Sequence, residues 1–282
     1  MRAKNINELY RTLCVALMLD GEKVGDTLEL IDVKLMIRCK RVDVCDIRDT
    51  SLAYLCGELI WYFAKSDKLK FISKFSSFWE KISDDGEHCN SAYGHIVHER
   101  YGYDQLEKVI SILRTDPESR RATINFNVPR EDKDTTKDEI CTSMLQFRVR
   151  DGHLECTAIM RSNDVYTGFP YDVTYFRILQ YIIAEELDIP VGDYTHFVCS
   201  MHLYDRNKND IRKKVIERNG VAAPKYYIDT DNLWRHVRYG NIQKLYDTIM
   251  SITEKKEAQE FALKNFKEFN ILCENKEVDY ED

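Results

Sequence analysis

The chain has 282 residues, 44% of them hydrophobic and 11% aromatic, enough to bury one large core and too few to require several domains. Charged residues make up 32% and the formal net charge is −7, so nucleic acid or an anionic membrane is not an expected partner. No apolar run approaches the roughly 18 residues of a spanning helix, and no GxGxxG, phosphate-cradling glycine loop or internal repeat is present.

From Ile6 to Leu19 the apolar residues Leu9, Leu13 and Leu17 recur every fourth position, which predicts a helix ended by Asp20-Gly21. DTLELIDVKLMIRC then reads as a strand whose alternation changes phase after Asp32, as a bulge would cause. SLAYLCGELIWYFAKS, Ser51 to Ser66, is apolar on nearly every side and predicts a deeply buried helix containing Glu58. Asp104 caps a helix that buries Leu106, Val109, Ile110 and Leu113. Asp151-Gly152 joins two alternating strands as a hairpin. A core helix carrying Phe176, Leu179, Ile183 and Leu187 follows, and DYTHFVCSMHLY returns to strand alternation. The reading is one α+β domain over residues 1–282, with a charged helical C-terminal extension from about residue 243.

Most of the nine cysteines, none in a CxxC pair, are expected as small core residues of a reducing, cytoplasmic chain. Cys141 is the preferred nucleophile, because it follows the charged loop PREDKDTTKDE at the start of a strand, where a cleft is accessible. A carboxylate in the setting of Glu58 is either paired with a core arginine or placed in a cavity as an acid or base. Arg120, Arg121 and Arg161, with Ser119 and Ser162 beside them, suit a phosphate. His95 and His98 in HIVH lack further ligands at suitable spacing, so no metal is expected.

RSNDVYTGFPYD, Arg161 to Asp172, stands with ELIW from Glu58, FWEK around Trp79, AYG at Tyr93, DPESRR ending at Arg121, CTSMLQFRV from Cys141 and MHLY ending at Tyr204. These motifs, in this order, resemble the thymidylate synthases. The resemblance implies a large mixed sheet packed with helices, one sheet face forming a homodimer interface, and 5,10-methylenetetrahydrofolate as co-substrate without a metal. Two departures stand out. Asp172 replaces the asparagine that reads uracil, and Thr142 follows the nucleophile where the synthases usually have histidine. With MRSNDV, these make the chain similar to the phage deoxycytidylate hydroxymethylases of the same superfamily.

By that resemblance Cys141 is the nucleophile, with the nearby arginines favouring its thiolate, while Glu58 orders water and relays protons, Tyr93 helps remove the carbon 5 proton and Asp172 meets the base. Arg161, Ser162, Asn163, His202 and Tyr204 bind the nucleotide, and Arg120 and Arg121 reach the partner's phosphate across the dimer. Trp79, Asp164 and Gly168 lie on the folate side, Gly168 by letting folate approach the backbone. The synthases' early-loop phosphate arginine has no match in DGEKVGDT, where Lys23 is one candidate to substitute and the position stays open, and their second tryptophan is Ile82. Their apolar C-terminus is replaced by EVDYED. The expected reaction converts dCMP to 5-hydroxymethyl-dCMP. CMP hydroxymethylation, dCMP methylation, thymidylate synthesis from dUMP and an inactive nucleotide-binding protein stay open.

Overall fold

The computed structural model describes residues 1–38, 41–127, 136–218 and 220–275, so the C-terminal EVDYED and most of the PREDKDTTKDE loop lie outside the described residues. A two-residue strand β1 (Arg2–Ala3) leads into helix α1 (Ile6–Asp20), where the Asn5 side chain accepts from the Glu8 amide. Leu9, Leu13 and Leu17 line its buried face, as their spacing predicts. Strand β2 (Glu22–Val24) pairs with β3 (Thr27–Ile37), and β4 (Val42–Asp43) follows. Helix α2 (Leu52–Phe63) is capped by Ser51 and buries every residue from Leu55 to Phe63. Short helices α3 (Leu69–Ile72), α4 (Phe78–Ile82) and α5 (Tyr93–His98) lead to α6 (Gln105–Thr115), whose first amides donate to Asp104.

Strands β5 (Thr123–Asn125), β6 (Thr142–Arg150) and β7 (His153–Asp164) form a meander. The β6–β7 turn has positive φ at both Asp151 (49°) and Gly152 (74°), the mirror-image geometry that matches strand twist. Helix α7 (Phe169–Leu187) crosses back over the sheet to β8 (Val191–Tyr204). Among the described residues seven strands join in the order β1-β3-β8-β7-β6-β5, with β2 on β3. The β1–β3 and β7–β8 pairs are parallel and the others antiparallel, which makes this an α+β fold with a mixed sheet.

The phase change at Asp32 is present, but it is not the expected bulge. Ile31 pairs with Ser200 and Val33 with Val198, so no residue is inserted; Asp32 takes φ 53° opposite Cys199. The break continues across the sheet. Cys199 lies beside Arg161 between two intact β7–β8 pairs, and the Arg161 amide donates to the Cys141 carbonyl at 2.9 Å. Along β7 and β8 the buried residues switch parity at this line, Met160 giving way to Asn163 and Val198 to Met201, whereas on β6 the change from Thr142 to Leu145 comes at Ser143, where the pairing with β7 shifts by one residue. A crease therefore runs from Asp32 through Cys199 and Arg161 to Cys141.

After β8 come α8 (Lys208–Ile211), β9 (Tyr226–Ile228), α9 (Thr230–Arg238), α10 (Asn241–Ser251), α11 (Lys255–Glu268) and β10 (Leu272–Glu274), the two strands joining β4 in a small antiparallel sheet. The apolar stripe of α11, Ala258, Ala262 and Phe266, is fully buried, and the helix packs on α2. No helix among the described residues is long and apolar enough to cross a membrane.

Candidate active site

Four ionisable groups from four segments share one neighbourhood, since the charge of Asp172 at the start of α7 acts on Cys141, Tyr93 and Glu58. Cys141 is half-buried at the end of the crease, with Arg161 Nη2 3.6 Å from its sulfur. The same guanidinium donates to the carbonyls of Ile140 and Glu139, each at 3.0 Å, and so holds the segment carrying the nucleophile. Burial pushes the thiol up to about 11, opposed by Arg161 and reinforced by Asp172, Asp138 and Glu139. The expectation that several arginines favour the thiolate is thus corrected for the single chain. Arg161 alone acts that way; Arg120 and Arg121 are exposed ahead of β5, where Arg121 Nε lies 3.5 Å from Ser119 Oγ.

Glu58 is 5% exposed, and its partners are not arginines. Tyr54 donates to its Oε1 at 2.8 Å and Tyr62 at 3.2 Å. Burial raises its carboxyl to about 8, with Asp172 adding and the two hydroxyls opposing. Trp79, buried edge-on against Trp61, donates its indole N–H to the Tyr54 oxygen at 3.1 Å and so connects to Glu58 through one hydroxyl. Thr142 Oγ1 donates to the Tyr93 oxygen at 2.8 Å, which leaves the phenol proton of Tyr93 uncommitted to that contact.

Asp172 keeps part of its surface open, and only its Oδ2 is hydrogen-bonded among the described residues, accepting from Asn163 Nδ2 at 2.7 Å. Burial raises it to about 7 and the charge of Asp164 adds, while the Asn163 bond opposes. Both ends of the Asn163 amide are used, because its Oδ1 lies 3.2 Å from His196 Nε2. A Cβ at Gly168 would fall 2.8 Å from Asn163 Nδ2 and 3.0 Å from Asp172 Oδ2, so the close approach that requires glycine is made by this pair. Asp164 accepts from the Tyr166 amide at 2.8 Å and from the Thr167 hydroxyl. Ser162 Oγ lies 3.3 Å from His202 Nδ1, and the His202 ring meets Tyr204 edge-on. Lys23 pairs with Asp205.

His95 and His98 turn to structural partners, Lys65 O at 3.2 Å and Asp104 Oδ2 at 2.7 Å. Among the described residues no group of three or more His, Cys, Asp or Glu side chains could hold a metal ion. The eight described cysteines are free thiols. Sequence reasoning missed Tyr54, Tyr62, His196 and Tyr194. It also missed Arg48, which is 8% exposed, lies 4.6 Å over the Tyr166 ring and 5.8 Å from the Tyr171 ring, and leaves its Nε unpartnered. A histidine on the buried phase of DYTHFVCSMHLY was the available signal for His196.

Cys141, the two raised carboxyls of Glu58 and Asp172, and Tyr93 thus come from four segments into one electrostatic neighbourhood beside the creased mixed sheet. The family model for thymidylate synthase matches residues 18–266. Over 196 residues the chain is 28% identical to a thymidylate synthase of Mycoplasma pneumoniae, covering 65% of this chain and 68% of that protein. Its fold is similar to the thermostable thymidylate synthase A of Bacillus subtilis, with a TM-score of 0.66 at 21% identity over 80% of this chain and 89% of the other. The chain belongs to the thymidylate synthase family, a family of one-carbon transferases.

Proposed function

We propose that the chain hydroxymethylates carbon 5 of dCMP, using 5,10-methylenetetrahydrofolate and water. The supporting observation is the half-buried carboxyl of Asp172, raised to about 7 and held by Asn163, at the position where the synthases read uracil with an amide. Near neutral pH a large fraction of this group is the acid. Cytosine offers an acceptor at ring nitrogen 3 and a donor at its amino group, and a carboxylic acid matches both with its hydroxyl and its other oxygen. An ionised carboxylate against uracil oxygen 4 would set acceptor on acceptor, costing about 1–3 kcal/mol.

Cys141 Sγ adds to carbon 6, turning carbon 5 into an enamine-like nucleophile. Charge then builds toward nitrogen 3, where the Asp172 proton stabilises the adduct more than the ground state. The co-substrate supplies the one-carbon unit at the oxidation level of formaldehyde. Tyr93, its oxygen held by Thr142, takes part in removing the carbon 5 proton as tetrahydrofolate leaves, and Glu58 orders the water that adds to the resulting exocyclic methylene before the Cys141 thiolate is expelled from carbon 6. Arg161, Ser162, His202 and Tyr204 hold phosphate and sugar, while Asn163 serves the base through Asp172. Trp79, Asp164 and Gly168 border the folate side, where Arg48, its guanidinium over the Tyr166 ring, supplies a cation for a co-substrate bearing a carboxylate. The proposed protein works in the cytoplasm as a homodimer whose partner supplies Arg120 and Arg121.

Incubation with CMP, dCMP, UMP and dUMP in turn, each with methylenetetrahydrofolate, followed by mass analysis, tests the reading. A hydroxymethylated product from dCMP is expected. A 5-methyl product from dUMP alone, the activity the relatives' name describes, would overturn it.

A further inference from the structure

Four side chains form an unbroken hydrogen-bonded chain ending on Asp172. The Tyr194 hydroxyl lies 2.9 Å from His196 Nδ1, His196 Nε2 lies 3.2 Å from Asn163 Oδ1, and Asn163 Nδ2 lies 2.7 Å from Asp172 Oδ2. Tyr194 and His196 are each 1% exposed and Asn163 is 3% exposed, so water does not compete for these bonds. Burial lowers His196 to about 3, and a neutral imidazole has one donor and one acceptor nitrogen. With the Asn163 oxygen facing it, His196 carries its proton on Nε2 and accepts at Nδ1 from Tyr194. Every member donates toward Asp172.

We infer that Tyr194 and His196, acting through Asn163, are positioning residues that select the base by fixing the order of donor and acceptor on the Asp172 carboxyl. The inference rests on Asp172 facing the base. Because Oδ2 must accept from Asn163, the proton of the acid sits on Oδ1, and the pair of oxygens presents a donor beside an acceptor in one fixed order. That order meets ring nitrogen 3 and the amino group of cytosine. If Asn163 were free to turn over, its oxygen would accept from a protonated Oδ2. Oδ1 would then be a bare acceptor, suited to the N–H of uracil nitrogen 3.

Gly168 gives independent support, since a Cβ there would strike both Asn163 Nδ2 and Asp172 Oδ2; the backbone is kept bare where this bond lies. The other groups acting electrostatically with Asp172 are Glu58 and Tyr62 from α2, Tyr93 from α5, Cys141 ahead of β6, Asp164 on β7 and Tyr194 on β8. None of them is a cation, so the Asn163 amide is what restrains the carboxyl.

The test uses full-length His196→Leu, His196→Gln and Tyr194→Phe. Glutamine can place an N–H near the position of Nε2, and phenylalanine removes one hydroxyl while keeping the ring. In His196→Leu the ratio of kcat/KM for dCMP over dUMP should fall about tenfold, with His196→Gln restoring most of it and Tyr194→Phe lying between. A second readout needs no turnover: carbon-13 NMR titration of the aspartate carboxyls, with Asp172→Asn supplying the assignment. Loss of the chain should move the Asp172 titration upward by about one pH unit. If His196→Leu does not fold, Tyr194→Phe carries the same criteria. A folded variant with an unchanged titration and an unchanged base ratio overturns the relay alone. A shifted titration in a protein whose wild type turns over only dUMP overturns the proposed function, and with it the selection of cytosine.

Discussion

Asp172 and Glu58 are carboxyls lifted by burial to about 7 and about 8, and their elevation bears on both catalysis and stability. An amide at position 172 can donate or accept but cannot transfer a proton. Asp172→Asn should therefore lower kcat on dCMP by about a hundredfold with a smaller loss of binding, and should raise relative activity on dUMP; an unchanged base ratio would place selection elsewhere. For stability, a folded-state value above the unfolded one means the native chain holds extra protons. Stability is then fully present below the ordinary values of 3.8 and 4.5 and falls as pH rises toward about 8. Glu58→Gln removes the share of this loss that belongs to Glu58. Its Tm relative to wild type should climb between pH 5 and pH 9, and a difference that stays flat across that range would mean that Glu58 does not ionise at a cost. Cys141→Ser should abolish release of tritium from carbon 5 while leaving nucleotide binding largely intact, and undiminished release would remove Cys141 from the mechanism.

At the scale of elements, the start of α7 brings Gly168, Asp172 and the end of β7 together. Gly168→Ala should force Asn163 from Asp172, destabilise by about 1–3 kcal/mol and depress dCMP turnover, as followed by denaturant midpoint and product formation. The helices α1, α6 and α7 and the β6–β7 hairpin were legible because each is set by local chemistry: a capping side chain, a four-residue spacing, an Asp-Gly turn. The partners of Glu58 were also legible in principle, since Tyr54 and Tyr62 stand four residues to either side of it on α2, one helical turn away. Those two hydroxyls replace the expected core arginine. The crease was legible only at Asp32, where one strand's alternation stumbles; its extension to Cys141 depends on pairing among β3, β8, β7 and β6, which local sequence does not encode. The link from Asn163 to His196 was hidden for the same reason, as it joins neighbouring strands 33 residues apart in sequence.

For the whole molecule, one chain leaves Arg120 and Arg121 exposed, and it presents Ile31, 72% exposed, on β3 of the creased sheet. In the proposed homodimer each chain would lend arginines to the other's site, and activity would then be a property of the pair. Mixing inactive Arg121→Ala and Cys141→Ala chains should then restore part of the activity, because one of the two hybrid sites regains both groups. Failure to complement once subunit exchange is verified would count against shared sites.

The crease from Asp32 to Cys141 also gives the sheet a reading frame. Beyond it, each strand presents its side chains out of step with the segment before it, so Asn163, Met201 and Leu203 point inward only because one residue per strand has been skipped. Replacing Cys199 alters a single exposed side chain. Deleting it would instead put everything downstream on β8 out of phase, exchanging His202 and Tyr204 with Met201 and Leu203. Along this line the protein tolerates changes of spelling far better than changes of count.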